Sequence, residues 1–177
     1  MAMARKPLEF EAGVSGESPF ARTAMLLGEA GLDRLAKARV AVFGLGGVGS
    51  YAAEALARCG VGRFLLVDPD VVGPSNLNRQ LVALQSTLGQ PKAEVMRLRI
   101  LDIQPGADVE ILRLFYRPEA AEAVAWSGLD GIADAMDTVR AKVDLAMRAQ
   151  HLGIPLVSCM GAGNRLDPTQ FAVGDLF

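Results

Sequence analysis

Short apolar runs rich in Val, Leu and Ile alternate along the chain with longer stretches of helical periodicity. The runs predict buried strands at residues 39–43, 64–67, 109–112, 129–135 and 156–158. The helical spacing predicts helices at 23–36, with breaks at Gly28 and Gly31, at 50–59, from Pro91 to about 101, at 118–126 and at 138–152. Because parallel strands need crossover connections, this alternation predicts an α/β fold, a mostly parallel sheet with helices on both faces.

A glycine-rich turn follows the first predicted strand directly and opens the next helix. It reads Gly44-Leu45-Gly46-Gly47-Val48-Gly49. Glycine lets the backbone turn tightly and approach a ligand, and the first N–H groups of a helix favour an anion. Asp68 ends the second strand, where a carboxylate can accept hydrogen bonds from ribose hydroxyls. The pattern predicts a Rossmann-like site for an adenine nucleotide; a turn that serves helix-to-strand packing alone is the alternative.

Two cations and a carboxylate extend this predicted site. Arg79 and Lys92 follow the carboxyl end of the second strand, and two cations there suit a polyphosphate. Asp137 follows a later strand, where it is placed to hold Mg²⁺, an ion that usually takes one or two carboxylates plus phosphate oxygens. Each has an ordinary alternative: Arg79 as a solvated surface residue, Lys92 as a helix-start charge and Asp137 as a helix N-cap.

Composition narrows the class of protein. The chain has 177 residues and a net charge of −2, so no bulk basic character indicates nucleic-acid binding. Although 51% of the residues are hydrophobic, charged residues or glycines interrupt every apolar run before the roughly 20 residues of a membrane span. Two cysteines and one histidine cannot supply a disulfide framework or a His-based metal site. We therefore expect a cytoplasmic protein with no membrane segment.

Five ordered segments together resemble the ThiF/MoeB/HesA superfamily of E1-like adenylating enzymes, and they lie at 44–49, 67–70, 75–80, 89–92 and 134–137. The resemblance runs from about residue 20 to the end of the chain. It implies an N-terminal arm and helix over 1–38 and a ThiF-type ATP-binding domain over 39–177, although the family pattern continues beyond this chain. It also implies ATP and Mg²⁺ binding, transfer of AMP to a carboxylate, and a homodimer.

The resemblance also implies a role for each matching residue. The nucleotide is expected at Gly44, Gly46, Gly47, Asp68, Ser75, Asn76, Arg79 and Lys92, and the magnesium at Asp137. Arg22 matches the family arginine that reaches the ATP of the partner protomer. The expected catalytic residues are Arg79, Lys92, Asp137 and Arg22.

Within the superfamily the chain is most similar to the tRNA threonylcarbamoyladenosine dehydratase branch, on segments 22–32, 76–80, 160–164 and 167–170. This branch implies a tRNA partner: ATP activates the carboxylate of a modified adenosine next to the anticodon, which then cyclises with net loss of water. Three alternatives stay open. They are an adenylating enzyme for a ubiquitin-like sulfur-carrier protein, an ATP-binding regulator without catalysis, and a dinucleotide oxidoreductase, which the extra cations disfavour.

Overall fold

A computed structural model describes residues 18–163 and 166–175. Its helices are α1 (Ala21–Lys37), α2 (Gly49–Cys59), α3 (Lys92–Ile103) and α4 (Val139–Leu152). Its strands are β1 (Arg39–Phe43), β2 (Arg63–Val67), β3 (Asp108–Leu112), β4 (Gly131–Asp134) and β5 (Leu156–Ser158). The first 17 residues of the expected N-terminal arm, and Asn164 of the segment 160–164, lie outside the described residues.

The five strands form one parallel sheet in the order β3-β2-β1-β4-β5. Phe43, the last residue of β1, pairs with Val67 on one side and with Asp134 on the other. Val67 in turn pairs with Leu112, and Asp134 with Ser158. All five strands therefore end in one row, and the loops that follow them share one edge of the sheet.

Helices cover both faces of the sheet, as the alternation predicts. Val42 faces a core cluster that includes residues of α2 and α3, whereas its neighbours Ala41 and Phe43 belong to a cluster that includes residues of α4. Successive side chains of a strand point to opposite faces, so a buried run such as 41–43 fills both cores. Among the described residues, no helix combines the length and the apolar character needed to cross a bilayer.

The predicted helix at 118–126 is wrong, because this segment is a 3₁₀-helix that ends after six residues, Pro118–Ala123. The Ala121 carbonyl accepts hydrogen bonds from the Val124 N–H at 3.1 Å and from the Trp126 indole N–H at 3.0 Å. The Ala125 carbonyl accepts a bond from the Arg39 guanidinium at 3.0 Å. The Val124 N–H bond is the i→i+3 bond of a 3₁₀ turn, and the long-range bond from Arg39 holds the segment that follows it.

Two smaller expectations also change. Gly28 kinks α1 at a φ of +69°, as predicted, but Gly31 is buried inside the helix and causes no break. A Cβ at Gly31 would lie 2.7 Å from the Leu27 Cβ, so the glycine at this position relieves crowding between neighbouring turns. The fourth strand is shorter than 129–135 and spans Gly131–Asp134.

We expect Gly49→Ala to lower the free energy of unfolding by at least about 2 kcal/mol. A Cβ at Gly49 would lie 1.7 Å from the carbonyl oxygen of Gly44, a backbone atom that cannot move without opening the turn. Gly106→Ala is the matched control, since nothing lies within 4 Å of its added Cβ. Urea unfolding compares the two variants with the wild-type protein, and equal midpoints for both would contradict this account of the turn.

Candidate functional site

The loops at the carboxyl edge of the sheet enclose a cleft of about 720 Å³. The predicted site residues that line it are Gly44, Gly46, Gly47, Asp68, Asn76, Arg79, Lys92 and Asp137. Ser75 and Arg22 do not line it: Ser75 is exposed in the loop after β2, and Arg22 is exposed in the first turn of α1. Ligands of open α/β sheets bind at this edge.

The glycine-rich turn is held tightly against the neighbouring strand end. Gly44 has a φ of +86°, and a Cβ there would lie 2.9 Å from the carbonyl oxygen of Ala135. The Ser50 hydroxyl, in the first turn of α2, donates to the Gly46 carbonyl at 2.6 Å. A Cβ at Gly47 would lie 3.5 Å from the side chain of Arg79. The turn is therefore fixed in shape, with a guanidinium-bearing side chain beside it.

Asp68 joins the end of β2 to this turn. Its carboxylate accepts the Leu45 N–H at 2.6 Å through one oxygen and the Asp70 N–H at 2.8 Å through the other. The residue is only 4% exposed. Burial raises the pKa of the Asp68 carboxyl above its usual value, and the two N–H groups oppose this effect. A carboxylate has about four acceptor positions, so Asp68 can still accept hydroxyl donors from a ligand in the cleft.

Lys92 is buried at 5% exposure, so it is not a solvated helix-start charge. Its ammonium donates to a carboxylate oxygen of Asp70 at 2.9 Å, and its backbone N–H donates to the Asp70 carbonyl at 3.0 Å. Asp70 itself is 60% exposed at its side chain. A buried cation needs such a partner, and an incoming anionic ligand would compete with Asp70 for the same ammonium.

Arg79 is exposed but oriented. Its guanidinium donates to the Ser75 carbonyl at 3.0 Å and to the Asn78 side-chain oxygen at 2.9 Å. Ser75 thus contributes to the site through its backbone. The side-chain oxygen of Asn76 accepts the Gly73 N–H at 2.9 Å, which closes the turn that carries this loop. The loop aims a planar cation at the cleft in which the glycine-rich turn lies.

Asp137 is not the N-cap of the following helix. α4 begins at Val139 after an N-cap at Thr138, and no side chain caps it. The exposed Asp137 carboxylate accepts the Thr138 hydroxyl at 3.5 Å and lines the cleft. Within residues 18–163 and 166–175, no group of three or more His, Cys, Asp and Glu side chains could hold a metal. A single carboxylate fits Mg²⁺ if phosphate oxygens complete the coordination.

The ThiF family model matches residues 20–175. The chain belongs to the ThiF family. It is 50% identical over 157 residues to tRNA threonylcarbamoyladenosine dehydratase of Bacillus subtilis, a match that covers 89% of this chain and 62% of that protein. The protein of the same name from Escherichia coli is 45% identical, over 89% of this chain and 59% of its own length.

A crystal structure of the Escherichia coli dehydratase, in complex with ATP, superimposes with a TM-score of 0.82 at 44% sequence identity. It covers 86% of this chain and 63% of the other. The fold is therefore that of the ThiF family, as the glycine-rich turn and the order of motifs predict. The chain spans about three fifths of the length of the curated relatives that it matches.

Gln80 belongs to the motif at 75–80, but its position in the sequence predicts no role for it in the site. It lines the cleft of this ThiF domain, is 8% exposed, and its amide nitrogen would lie 3.7 Å from a Cβ on Gly46. Its carboxamide oxygen is buried without a hydrogen-bond partner among the described residues. Buried polar groups normally have partners, so this amide next to the glycine-rich turn is suited to reorient toward a polar ligand.

Sequence reasoning also missed a buried ion pair behind the ThiF cleft, between Asp134 of β4 and Lys142 of α4, to which Ser158 of β5 is hydrogen-bonded. The Lys142 ammonium donates to Asp134 at 3.1 Å and to the Cys159 carbonyl at 2.8 Å. The Ser158 hydroxyl donates to the same Asp134 oxygen at 2.6 Å, and the Met136 N–H donates to the other at 3.1 Å. This network fixes the two segments, after β4 and after β5, that form one wall of the cleft.

We expect Lys142→Met to lower the free energy of unfolding by about 3–5 kcal/mol, because it leaves the Asp134 charge buried and uncompensated. Arg140→Ala is the control on the same helix. Arg140 pairs with Glu119 at the surface, and its loss should change the stability by less than about 1 kcal/mol. Urea unfolding measures both, and a Lys142→Met variant as stable as Arg140→Ala would contradict the role of the buried pair.

Proposed function

We propose that this ThiF domain binds ATP with Mg²⁺ in the cleft and activates the carboxylate of threonylcarbamoyladenosine in tRNA by adenylation, after which the nucleoside cyclises. One observation carries the proposal: a buried lysine, an oriented arginine and an exposed aspartate surround one glycine-rich turn. The names of the most similar relatives support the substrate. The solved ATP complex of one of them supports the nucleotide.

The chemistry needs positioned charge more than a side-chain base. A carboxylate is already ionised at neutral pH, and its oxygen attacks the α-phosphorus of ATP while the bond to pyrophosphate breaks. Negative charge builds on the phosphate oxygens, and Arg79 and Lys92 would offset it in place. A nucleophile of the same nucleoside then takes the activated carbonyl and loses a proton, and AMP leaves with the former carboxylate oxygen.

Within this proposal Asp137 holds the magnesium together with phosphate oxygens, and the ion when bound neutralises charge on the triphosphate. Asp68 receives the ribose hydroxyls, and Asn76 and the glycine-rich turn contact the phosphates. Arg22 lies outside the cleft of its own protomer, which is consistent with a contribution to the site of a partner protomer in a homodimer. The same proposal includes a cytoplasmic location. It also includes an N-terminal arm and helix over 1–38 that precede the ATP-binding domain at 39–177.

The experiment that tests the substrate incubates the protein with ATP, Mg²⁺ and tRNA that carries threonylcarbamoyladenosine, followed by mass spectrometry of the nucleosides. We expect the modified nucleoside to lose the mass of one water in an ATP-dependent manner. Unchanged nucleoside, together with ATP–pyrophosphate exchange that depends on a sulfur-carrier protein, would replace this substrate by the carrier. ATP binding without either reaction would instead indicate a regulator.

We expect Arg79→Ala to slow pyrophosphate release by about 10²- to 10³-fold while the protein stays folded, since the lost cation acts where charge develops. Arg97→Ala is the matched control, because Arg97 is a partly exposed arginine on α3 that pairs with Glu94 and does not line the cleft. The measurement is the rate of pyrophosphate release at saturating ATP. A wild-type rate for Arg79→Ala would remove this residue from the mechanism.

A further inference from the structure

A groove of about 540 Å³ lies at the amino edge of the sheet, where the strands begin, opposite the cleft. Its charged lining consists of Arg34 and Lys37 in the last turn of α1, Arg63 at the start of β2, and Asp130 just before β4. Its other lining residues come from α1 and its C-cap and are apolar. We call this surface the amino-edge groove. The adenylation chemistry described above uses none of its residues.

The three cations of the amino-edge groove are exposed, and none of them forms an ion pair within the part of the chain that the structure describes. Most other cations there pair with carboxylates, as Arg58 does with Glu54 at 2.8 Å. The end of a helix favours Arg34 and Lys37 through its dipole, but this effect does not explain Arg63, which begins a strand. Three unpaired positive charges in a chain of net charge −2 therefore indicate a local site for an anionic partner.

Asp130 places an exposed carboxylate among these cations. One of its oxygens accepts the Arg39 N–H at 2.8 Å, and the other accepts no hydrogen bond from a described residue. A carboxylate repels phosphates, so the groove does not suit a ligand that consists of phosphate groups alone. An RNA backbone carries a 2′-hydroxyl beside each phosphate, and this hydroxyl can donate to a carboxylate oxygen. Three cations with one unused acceptor therefore fit RNA better than DNA or inorganic phosphate.

The length of the strands separates the amino-edge groove from the cleft. The five residues of β1 span about 15 Å, from Arg39 at the amino edge to Phe43 at the carboxyl edge. Phosphates recur every few ångströms along a nucleic-acid strand. An RNA whose modified nucleoside lies in the cleft therefore presents many phosphates at this distance from the reacting atoms, and one tRNA molecule is large enough to occupy both surfaces.

We propose that the amino-edge groove binds the backbone of the tRNA substrate, with Arg34, Lys37 and Arg63 on phosphates and Asp130 on a ribose 2′-hydroxyl. The inference rests on the proposed function, in which tRNA is the substrate, and adds a contact surface away from the reacting nucleoside. Arg63 is already oriented, because its Nε donates to the Lys37 carbonyl at 3.2 Å. Phosphate contacts position a nucleic acid without reading its sequence. The groove thus supplies affinity that does not depend on the modified nucleoside.

Fluorescence anisotropy with a labelled, unmodified tRNA transcript, recorded over a range of salt concentrations, tests the groove. We expect the double variant Arg34→Gln, Lys37→Gln to bind tRNA about tenfold more weakly and to lower the slope of log affinity against log salt by about 1.5, because two phosphate contacts are lost. Arg58→Gln is the matched control, since Arg58 is also an exposed cation in the last turn of a helix but pairs with Glu54 and does not line the groove. It should bind tRNA as the wild-type protein does, and all variants should keep a urea midpoint close to the wild-type value.

A pair of hairpins with the sequence of the anticodon stem-loop, one of RNA and one of DNA, tests the role of Asp130. We expect the wild-type protein to bind the RNA hairpin more tightly than the DNA hairpin. Asp130→Asn keeps an acceptor for the Arg39 N–H but loses the second carboxylate oxygen, so it should narrow this difference. An unchanged difference would remove Asp130 from the contact with RNA.

The outcomes separate the groove from the proposed function. Wild-type tRNA affinity in the double variant, or an equal loss of affinity in Arg58→Gln, would overturn the groove while the proposed function stands. A double variant that loses affinity for polyglutamate and keeps it for tRNA would assign the groove to an acidic protein and also overturn this inference. A wild-type protein that binds no tRNA would overturn the tRNA substrate and this inference together.

Discussion

The in-register parallel pairing of the five strands is the constraint on which the site depends. Leu112, Val67, Phe43, Asp134 and Ser158 form one row across the sheet, so every loop that follows a strand begins at the same edge. A shift of one residue in any strand would exchange its two buried faces and move its loop. The hydrophobic core that fixes the register therefore also fixes the distances between the polar groups of the cleft.

Three charged side chains at this edge, those of Asp68, Lys92 and Asp134, are buried, and each is held by specific partners. Asp68 has two backbone N–H groups, Lys92 has Asp70, and Asp134 has Lys142 and Ser158. Removing ions from water costs several kcal/mol unless geometry and hydrogen bonds compensate. Paired charges of this kind form a cleft whose electrostatics exist before a ligand binds, which is what phosphoryl chemistry requires of a protein.

Local patterns predicted most of the fold because its signals lie close together in the chain. The run 39–43, the glycine-rich turn and the helix at 50–59 follow one another directly, and the structure places them within a residue of the prediction. Contacts between residues far apart in the chain could not be predicted from these local patterns. The Arg39 guanidinium, for example, donates to the Ala125 carbonyl, more than 80 residues away in the chain and just after the 3₁₀-helix ends at Ala123. No periodicity carries that information.

The same distinction applies to the site. The motif order placed Arg79, Lys92 and Asp137 at one edge, because strand ends and loops are visible in the sequence. The burial of Lys92 and of the Gln80 side chain depends on how the loops fold over one another. Side-chain environments of this kind follow from tertiary packing and not from spacing.

The proposed function requires that the charges of the cleft surround three consecutive phosphates. Calorimetric titration of the protein with ATP, ADP, AMP and NAD, each in the presence of Mg²⁺, tests this most directly. We expect affinity to fall with each phosphate removed, from ATP to ADP to AMP, and NAD to bind more weakly than ATP. NAD binding tighter than ATP, or equal affinity for ATP and AMP, would contradict the proposed function and leave a generic nucleotide-binding fold.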